Sequence, residues 1–195
     1  MRVIGGTLGG RRLVAAQGHH TRPTTDRVRE ALFSRLDSRY DLAAGMVLDV
    51  FAGTGALAIE AVSRGATGAV CIESDRNALA ALRRNLDALG LKERIQVVAA
   101  DFREALSAQA RSGARFAGVL LDPPYASDMA QETLRLIDSL HLLIEGGWAV
   151  AEVGKRQSAP ERIGSLARRR QDVYGDTRLL LYECGGTSGA EQADR

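Results

Sequence analysis

Between residues 46 and 153 the sequence alternates between short apolar runs and longer amphipathic stretches, and this alternation limits the possible folds more than any other feature. Each apolar run has the composition of a strand buried on both faces; the five runs are MVLDVF, GAVCIES, RIQVVAAD, FAGVLLD and GWAVAEV. The stretches between them place apolar residues at helical spacing, as at Leu79, Leu82, Leu86 and Leu89. Strands that alternate with helices are joined by right-handed crossovers. We therefore predict an α/β fold with a doubly wound, mostly parallel sheet and helices on both faces.

The two ends of the chain depart from this alternation. RVIGGTLGGRRLV predicts a small β-hairpin around a glycine-rich turn, and RPTTDRVREALFSRLD predicts a helix, so residues 1–40 form an amino-terminal extension. Near the other end, RRRQDVYGDTRLLLYEC has two β-rich pieces around a Gly-Asp turn, which predicts an antiparallel hairpin that joins the sheet. We therefore expect a seven-stranded sheet in a domain over residues 41–184, followed by a disordered polar tail over residues 185–195.

Composition narrows the class of protein. The 195 residues are 45% hydrophobic and 26% charged, which is typical of a globular domain rather than a disordered chain. No apolar run approaches the roughly 18 residues that span a bilayer, and the start lacks a signal-peptide pattern, so we expect a cytoplasmic protein without a membrane partner. The two cysteines and three histidines have no metal-ligand spacing, and we expect no metal.

Positive charge is concentrated near the amino terminus. The net charge is only +2, but residues 1–40 hold eight arginines against three acidic residues. A basic segment on an otherwise slightly acidic chain is typical of a surface that contacts nucleic acid phosphates. Arginines that merely solvate a helix face explain the same pattern, so the charge alone does not decide between the two interpretations.

The stretch LDVFAGTGAL predicts a ligand-binding loop between the first strand and its helix. Gly53 and Gly55 lack a Cβ atom, which allows the backbone to approach a ligand closely. A dinucleotide fingerprint has a third glycine or an alanine at the position of Ala58, so this loop by itself leaves a nicotinamide cofactor possible.

Acidic residues at the ends of three successive strands favour a cofactor without phosphate. Asp49 lies beneath the glycine loop, where it would repel a pyrophosphate and attract an ammonium group. Glu73 ends the second strand and suits the hydroxyls of a ribose, and Asp101 ends the third. S-adenosylmethionine has a ribose, an adenine and a zwitterionic amino-acid end, and Phe102 is placed to lie against its adenine. For Glu73 and Asp101, helix capping is the alternative.

The stretch VLLDPPY ends a buried strand with an acid, two prolines and a tyrosine. Pro123 and Pro124 lack the N–H that a strand ladder needs and fix the backbone where they stand. Asp122 and Tyr125 are therefore held on a stiff support at a strand's carboxyl end, the edge at which open α/β sheets bind ligands. A plain turn whose tyrosine fills a surface hollow is the alternative.

These motifs together resemble a known family. VLDVFAGTGAL resembles the first cofactor motif of Rossmann-like class I methyltransferases that use S-adenosylmethionine, and DPPY resembles the motif of enzymes that methylate exocyclic amino nitrogens of nucleobases. Across residues 2–183 the chain is similar to bacterial 16S ribosomal RNA guanine-N2 methyltransferases of the RsmD type, through RVIGGTLGGRRL, RPTTDRVREALF, FAGTGALAIEAVSRGA and YGDTRLLLYE. Thr54 stands where the family often has serine, and Ala58 where glycine is common.

The resemblance implies that the chain transfers a methyl group from S-adenosylmethionine to the N2 of a guanine in 16S ribosomal RNA. The cofactor-binding residues that it implies are Asp49, Gly53, Thr54, Gly55, Glu73, Asp101 and Phe102. At the reacting base, the Asp122 carboxylate and the Pro123 carbonyl would accept the amino hydrogens, and Tyr125 would stack on the base. The arginines that would contact RNA phosphates are Arg2, Arg11, Arg12, Arg22, Arg27 and Arg29.

We expect the protein to be a monomer. We also expect it to act on a partly or fully assembled small ribosomal subunit, because the roughly 40 residues before the sheet domain are too few for a large RNA-recognition domain. Three other functions stay open at this point. The first is an adenine-N6 methyltransferase on DNA or RNA, which would use the same DPPY turn. The second is a nicotinamide-dependent oxidoreductase, which is disfavoured because the sequence has no catalytic histidine, lysine or tyrosine placed after a later strand. The third is a nonenzymatic RNA-binding protein, which would not need the intact glycine loop and strand-end acids.

Overall fold

The computed structural model describes residues 1–16, 26–123 and 128–185, which alternate between strands and helices. The strands are β1 (Val47–Val50), β2 (Ala69–Glu73), β3 (Ile95–Ala99), β4 (Phe116–Leu121), β5 (Leu143–Gly154), β6 (Arg162–Ile163), β7 (Leu166–Tyr174) and β8 (Thr177–Cys184). The helices are α1 (Asp26–Arg39), α2 (Ala56–Ser63), α3 (Arg76–Leu89), α4 (Phe102–Arg111) and α5 (Met129–Ser139). All five strands and the C-terminal hairpin expected from the apolar runs are present.

The strands form one sheet in the order β3-β2-β1-β4-β5-β8-β7-β6. Strands β1 to β5 pair in parallel, whereas β8, β7 and β6 are antiparallel to their neighbours, which confirms the doubly wound sheet with an antiparallel C-terminal hairpin. The two-residue strand β6 adds one strand to the seven predicted. The chain builds outward from β1 in one direction and then from β4 in the other, and such a reversal leaves a crevice at the carboxyl ends of β1 and β4.

Two apolar layers cover the two faces of the sheet. Helices α1, α2 and α3 contribute to one layer and helices α4 and α5 to the other. Every residue of β1 and β4 is buried, which explains why these strands are continuously apolar instead of alternating with polar residues. The polar exception is Asp49 in β1, which lies beneath the crevice.

The amino-terminal extension is docked on α2 and α3 by buried polar side chains. The fully buried Glu60 accepts hydrogen bonds from the backbone N–H groups of Ile4 (2.7 Å) and Gly5 (2.8 Å). Ser63 accepts a further bond from Leu8 N–H at 2.9 Å. The predicted hairpin is present: Val3 N–H donates to the Arg11 carbonyl (2.9 Å), Gly10 N–H to the Val3 carbonyl (2.9 Å) and Leu13 N–H to the Met1 carbonyl (3.1 Å), around an antiparallel β-bridge between Arg2 and Arg12.

Within residues 1–16, 26–123 and 128–185, no helix combines the length and the apolar character that a membrane span requires. The predicted polar tail lies outside the described residues apart from Gly185.

Candidate active site

A cleft of about 1070 Å³ opens at the carboxyl ends of the central strands, at the reversal between β1 and β4. Its lining comes mainly from the loops that follow four parallel strands, from the turn between β7 and β8 and from the amino-terminal extension. The lining includes Gly53 and Thr54 after β1, Glu73 at the end of β2, Asp101 and Phe102 after β3, Asp122 and Pro123 after β4, and Asp176 in the turn. Most of the residues that the sequence assigned to cofactor and substrate thus meet in one place.

The loop after β1 depends on backbone conformations that favour glycine. Gly53 and Gly55 have φ angles of 56° and 80°, and Phe51 has a φ of 69°. A Cβ atom on Gly53 would have no neighbour within 4 Å, because this glycine borders the cleft, whereas a Cβ atom on Gly55 would collide with Leu82. The first glycine therefore leaves open space for a ligand and the second allows α2 to pack against α3.

These two environments predict different results for alanine substitutions. Gly55→Ala should lower the free energy of unfolding by about 2–4 kcal/mol, because it adds overpacking to the cost of a left-handed backbone. Gly53→Ala should cost only about 1 kcal/mol but should weaken binding of S-adenosylhomocysteine. Gly90→Ala is the matched control for backbone cost, since Gly90 has a φ of 67° and equally open surroundings away from the cleft. Urea unfolding and calorimetric titration measure both effects, and equal destabilisation by all three substitutions would contradict the prediction.

Glu73 connects the loops after β1 and β2. One carboxylate oxygen accepts a hydrogen bond from Gly53 N–H at 2.8 Å, and the other accepts from Ser74 and Asp75 N–H, both at 2.8 Å. Helix α3 is capped by Asp75, which accepts from Ala78 N–H, so Glu73 is not the helix cap that was the alternative interpretation. The contact of Glu73 with a ribose stays a prediction.

Asp49 forms the floor of the loop. It is 1% exposed; Oδ2 accepts a hydrogen bond from Ala58 N–H at 3.0 Å, and the buried Oδ1 has no partner among the described residues. Burial raises the pKa of Asp49 to about 7. The hydrogen bond from Ala58 lowers this pKa, whereas the negative charges of Asp122 and Glu73 raise it further. The site therefore holds an acceptor atom that no part of the described chain uses.

Asp101 and Phe102 have structural contacts as well as a place on the cleft. Asp101 caps α4 by accepting a hydrogen bond from Arg103 N–H at 2.9 Å, which is the alternative that the sequence left open. Phe102 is 5% exposed and packs against Phe51 with ring centroids 5.1 Å apart, while the Arg103 guanidinium carbon lies 4.4 Å from its ring centroid. Helix capping and core packing account for both residues without a ligand, and their contact with adenine stays a prediction.

The DPPY turn is described in part. Asp122 is half-buried and Pro123 is buried, and both line the cleft directly after the buried strand β4. Residues 124–127, which include Tyr125, lie outside the described residues.

The predicted RNA-contacting arginines divide into two groups. Arg2, Arg11, Arg12 and Arg27 are exposed, and Arg22 lies outside the described residues. Arg29 is different: it is 1% exposed, and its Nη2 donates to the Arg2 carbonyl and to Asp26 at 2.9 Å. Arg29 is therefore not part of the exposed basic surface, because the helix turns its side chain inward, and its contact with an RNA phosphate stays a prediction.

Three consecutive arginines on β7, Arg168, Arg169 and Arg170, form ion pairs with acidic residues. The three pairs are Arg168 with Glu161, Arg169 with Glu183 and Arg170 with Asp172. The positive charge of these arginines is therefore partly compensated by neighbouring acids.

Asn85 is a functional candidate that the sequence analysis missed. Its Oδ1 accepts a hydrogen bond from Val14 N–H at 2.7 Å, and its Nδ2 donates to the carbonyls of Val14 (3.1 Å) and Thr54 (3.0 Å). This buried side chain therefore connects the extension to the glycine loop. A polar residue within the leucine stripe of α3, between Leu82 and Leu86, was the available signal.

Comparisons with known proteins agree on one family. Residues 1–183 match the family model described as "Conserved hypothetical protein 95". "Putative rRNA methyltransferase YlbH" from Bacillus subtilis (strain 168) is 40% identical over 186 residues, which cover 95% of this chain and 100% of the relative. "Ribosomal RNA small subunit methyltransferase D" from Escherichia coli (strain K12) is 35% identical over 193 residues, which cover 98% of this chain and 94% of the relative.

The fold agrees with a solved structure. The structure described as "Putative methyltransferase yhhF from Escherichia coli" superposes with a TM-score of 0.80 at 34% identity, over 96% of this chain and 99% of that one. The Rossmann-like methyltransferase fold expected from the motifs is thereby confirmed.

Proposed function

This chain belongs to the family described as conserved hypothetical protein 95, the RsmD family of ribosomal RNA methyltransferases, and we propose that it transfers a methyl group from S-adenosylmethionine to N2 of a guanine in 16S ribosomal RNA. The observation that carries the proposal is the position of Asp122 and Pro123. They follow β4 on the same cleft as the glycine loop, so a base held by the turn faces a cofactor held by the loop.

The polar groups around the loop support S-adenosylmethionine as the cofactor. When bound, it supplies a sulfonium-activated methyl group. Asp49 offers an unused carboxylate oxygen to the cofactor's ammonium group, and Glu73 lies at the strand end where a ribose diol would be held. Two acids this close to the loop would oppose a pyrophosphate, which disfavours a nicotinamide cofactor.

The chemistry of guanine explains why an acid and a proline carbonyl follow a core strand. The N2 lone pair is delocalised into the ring, which makes the amino group a poor nucleophile. Asp122 and the Pro123 carbonyl accept the two amino hydrogens and align the lone pair with the methyl group. As the N–C bond forms, the S–C bond breaks and its electron pair returns to sulfur, and the surplus proton on N2 then passes to Asp122 or to water.

The carboxylate of Asp176, which lines the same cleft as Asp122, favours guanine over adenine as the substrate. The last residue of β4, Leu121, pairs with Ala151 of β5. Strand β5 continues for three more residues to Gly154, which pairs with Thr177 at the start of β8. From strand spacing and rise, the turn that carries Asp176 stands about 10 Å beyond Asp122 and about 10 Å to its side, with room for a base between them. Guanine has donors at both N1 and N2 for two carboxylates, whereas adenine has only N6.

The exposed arginines of the extension supply RNA affinity without reading sequence. Their segment is held in place by Glu60, Ser63 and Asn85, so it presents a fixed basic surface beside the cleft. We propose that the remaining recognition comes from the shape of a partly or fully assembled small subunit, on which the enzyme acts as a monomer.

The basic surface makes a testable prediction about salt dependence. Arg11→Ala combined with Arg12→Ala should weaken binding to 16S ribosomal RNA and reduce the slope of log K against log salt by about 1.5, since two phosphate contacts are lost. Arg111→Ala combined with Arg115→Ala removes the same charge from exposed positions at the opposite end of β4 and should leave the slope unchanged. Equal slopes for the two double variants would contradict the prediction.

The proposed function is tested by tritium transfer from labelled S-adenosylmethionine to small ribosomal subunits from cells that lack this protein. Nucleoside analysis is expected to place the label in N2-methylguanosine, with naked 16S ribosomal RNA labelled more slowly than assembled particles. Label in N6-methyladenosine would replace the guanine proposal with the adenine one. An absence of label from RNA, despite cofactor binding, would refute the proposed substrate.

A further inference from the structure

Arg29 belongs to the extension and lines the cleft, and its hydrogen bonds leave part of its guanidinium unused. We infer that Arg29 binds the carboxylate of the methionine part of the cofactor. The inference rests on the proposed function, since it takes S-adenosylmethionine as the ligand of the cleft. It gives a role to an arginine of the extension that is buried instead of exposed.

The position of Arg29 is unusual for an arginine. The side chain comes from α1, is 1% exposed and lines the cleft together with Ala15, Ala16 and Thr54. Both of its hydrogen bonds, to the Arg2 carbonyl and to Asp26, use Nη2. Within the described part of the chain, Nη1 makes no hydrogen bond, and Nε is buried without a partner. A guanidinium with unused donors therefore adjoins the cavity.

The charge of Arg29 is only partly compensated by protein groups. Burial lowers the pKa of Arg29 from its ordinary value, while the charges of Asp26 and Glu60 oppose that change. Asp26 is half-exposed, and Glu60 already accepts bonds from Ile4, Gly5 and Arg64. Since an arginine does not give up its proton in a protein, an anion in the cleft would stabilise this buried cation.

The amino-acid end of the cofactor supplies such an anion in a suitable place. Asp49 lies beneath the glycine loop and accepts from Ala58 N–H, and Arg29 of α1 lines the cleft that this loop also lines, so the site offers one negative and one positive group to a zwitterion. A guanidinium binds a carboxylate through two parallel hydrogen bonds, which a lysine at this place would not reproduce. An RNA phosphate is the other anion that could approach Arg29, and the experiment separates the two.

The test compares two ligands that differ only in the carboxylate: S-adenosylmethionine and its decarboxylated form. Calorimetric titration of the full-length wild-type protein is expected to give a Kd about 10- to 150-fold lower for the carboxylated ligand, the range for a hydrogen-bonded charge pair. In Arg29→Met, the Kd for S-adenosylmethionine should rise by that factor, and the Kd for the decarboxylated ligand should stay within about twofold.

Two further variants make the result specific. Arg84→Met removes an exposed arginine of α3 and should keep the wild-type ratio of the two Kd values. Arg29→Lys keeps the buried charge without the planar fork and should give an intermediate ratio, which tests the inference even if the methionine variant unfolds. Circular dichroism monitors folding of each variant.

Three outcomes would overturn the inference. An unchanged ratio in Arg29→Met or in Arg29→Lys would mean that Arg29 does not contact the carboxylate. A loss of RNA affinity with an unchanged ratio would identify the anion as a phosphate. Failure of the wild-type protein to bind either ligand would refute the proposed cofactor as well, and it is recognised before any substitution is made.

Discussion

Asp122→Asn is expected to lower kcat for methyl transfer by about 100- to 1000-fold while leaving the Kd for S-adenosylhomocysteine within about twofold of the wild-type value. The substitution keeps the shape of the side chain but replaces one acceptor oxygen by an amide N–H₂, which repels the amino hydrogens of the target base. The charge that relieves the developing cation on N2 is lost at the same time. Cofactor affinity should persist because Asp122 follows β4, whereas the glycine loop follows β1.

Single-turnover methylation of small subunits measures the chemical step, and calorimetry measures cofactor binding. Asp128→Ala is the matched control, because this exposed carboxylate ends the same connection between β4 and α5 and does not cap the helix through its side chain. Equal loss of kcat in the two variants would assign the effect to the loop rather than to the Asp122 carboxylate. Full activity of Asp122→Asn would remove Asp122 from the proposed mechanism.

The sheet was predictable from sequence because parallel strands buried on both faces are continuously apolar. The residues of β1 and β4 follow this rule, and glycines mark the ends of the helices between the strands. The short strand β6 was not predictable, since two residues carry no periodic pattern. Its formation depends on the turn that leads into β7, where Ile163 pairs with Leu166.

The contacts of the amino-terminal extension with the helices could not be predicted from the local sequence pattern. Ile4 N–H donates to Glu60 and Val14 N–H donates to Asn85, residues 56 and 71 positions further along the chain, so the local pattern predicted the hairpin but not its docking on α2 and α3. The same reason applies to Arg29: residue type and the surrounding charge favoured an exposed phosphate contact, but its burial depends on how α1 packs. Strand-end residues such as Glu73 and Asp122 were predictable because the topology alone fixes the edge of the sheet at which they lie.

Asp49 provides the second large effect, because its buried carboxylate, with Oδ1 unpaired among the described residues, is unfavourable for the fold and favourable for the cofactor. With a pKa of about 7 in the folded protein and 3.8 as the ordinary value, the folded state holds the proton more tightly than the unfolded state does. The contribution of Asp49 to stability is therefore fully present below about pH 3.8 and is lost as the pH rises through 7. Asp49→Asn removes this dependence, so the free energy of unfolding of the variant relative to wild type should increase by about 3 kcal/mol between pH 5 and pH 8.

Cofactor binding should respond in the opposite direction. The ammonium group of the cofactor favours the ionised carboxylate, so wild-type affinity for S-adenosylhomocysteine should rise from pH 5 to pH 7, with release of a proton on binding. In Asp49→Asn the affinity should be low and nearly independent of pH over this range. Titration in two buffers of different ionisation enthalpy measures the proton, and urea unfolding at pH 5 and pH 8 measures stability.

Glu73→Gln separates this effect from the general loss of an acid near the loop. Both Glu73 oxygens accept backbone hydrogen bonds, from Gly53, Ser74 and Asp75, so an amide there loses acceptors and should destabilise the fold at pH 5 and pH 8 alike. If Asp49→Asn instead follows the wild-type curve at every pH, the Asp49 carboxylate is ionised throughout, and its affinity for the ammonium group carries no cost in stability. Replacing Glu73 by its amide should therefore destabilise the fold, whereas replacing Asp49 by its amide should stabilise it at pH 8. The difference arises because both oxygens of Glu73 accept hydrogen bonds from the backbone, whereas Oδ1 of Asp49 has no donor among the described residues. The ammonium group of the cofactor would supply that donor.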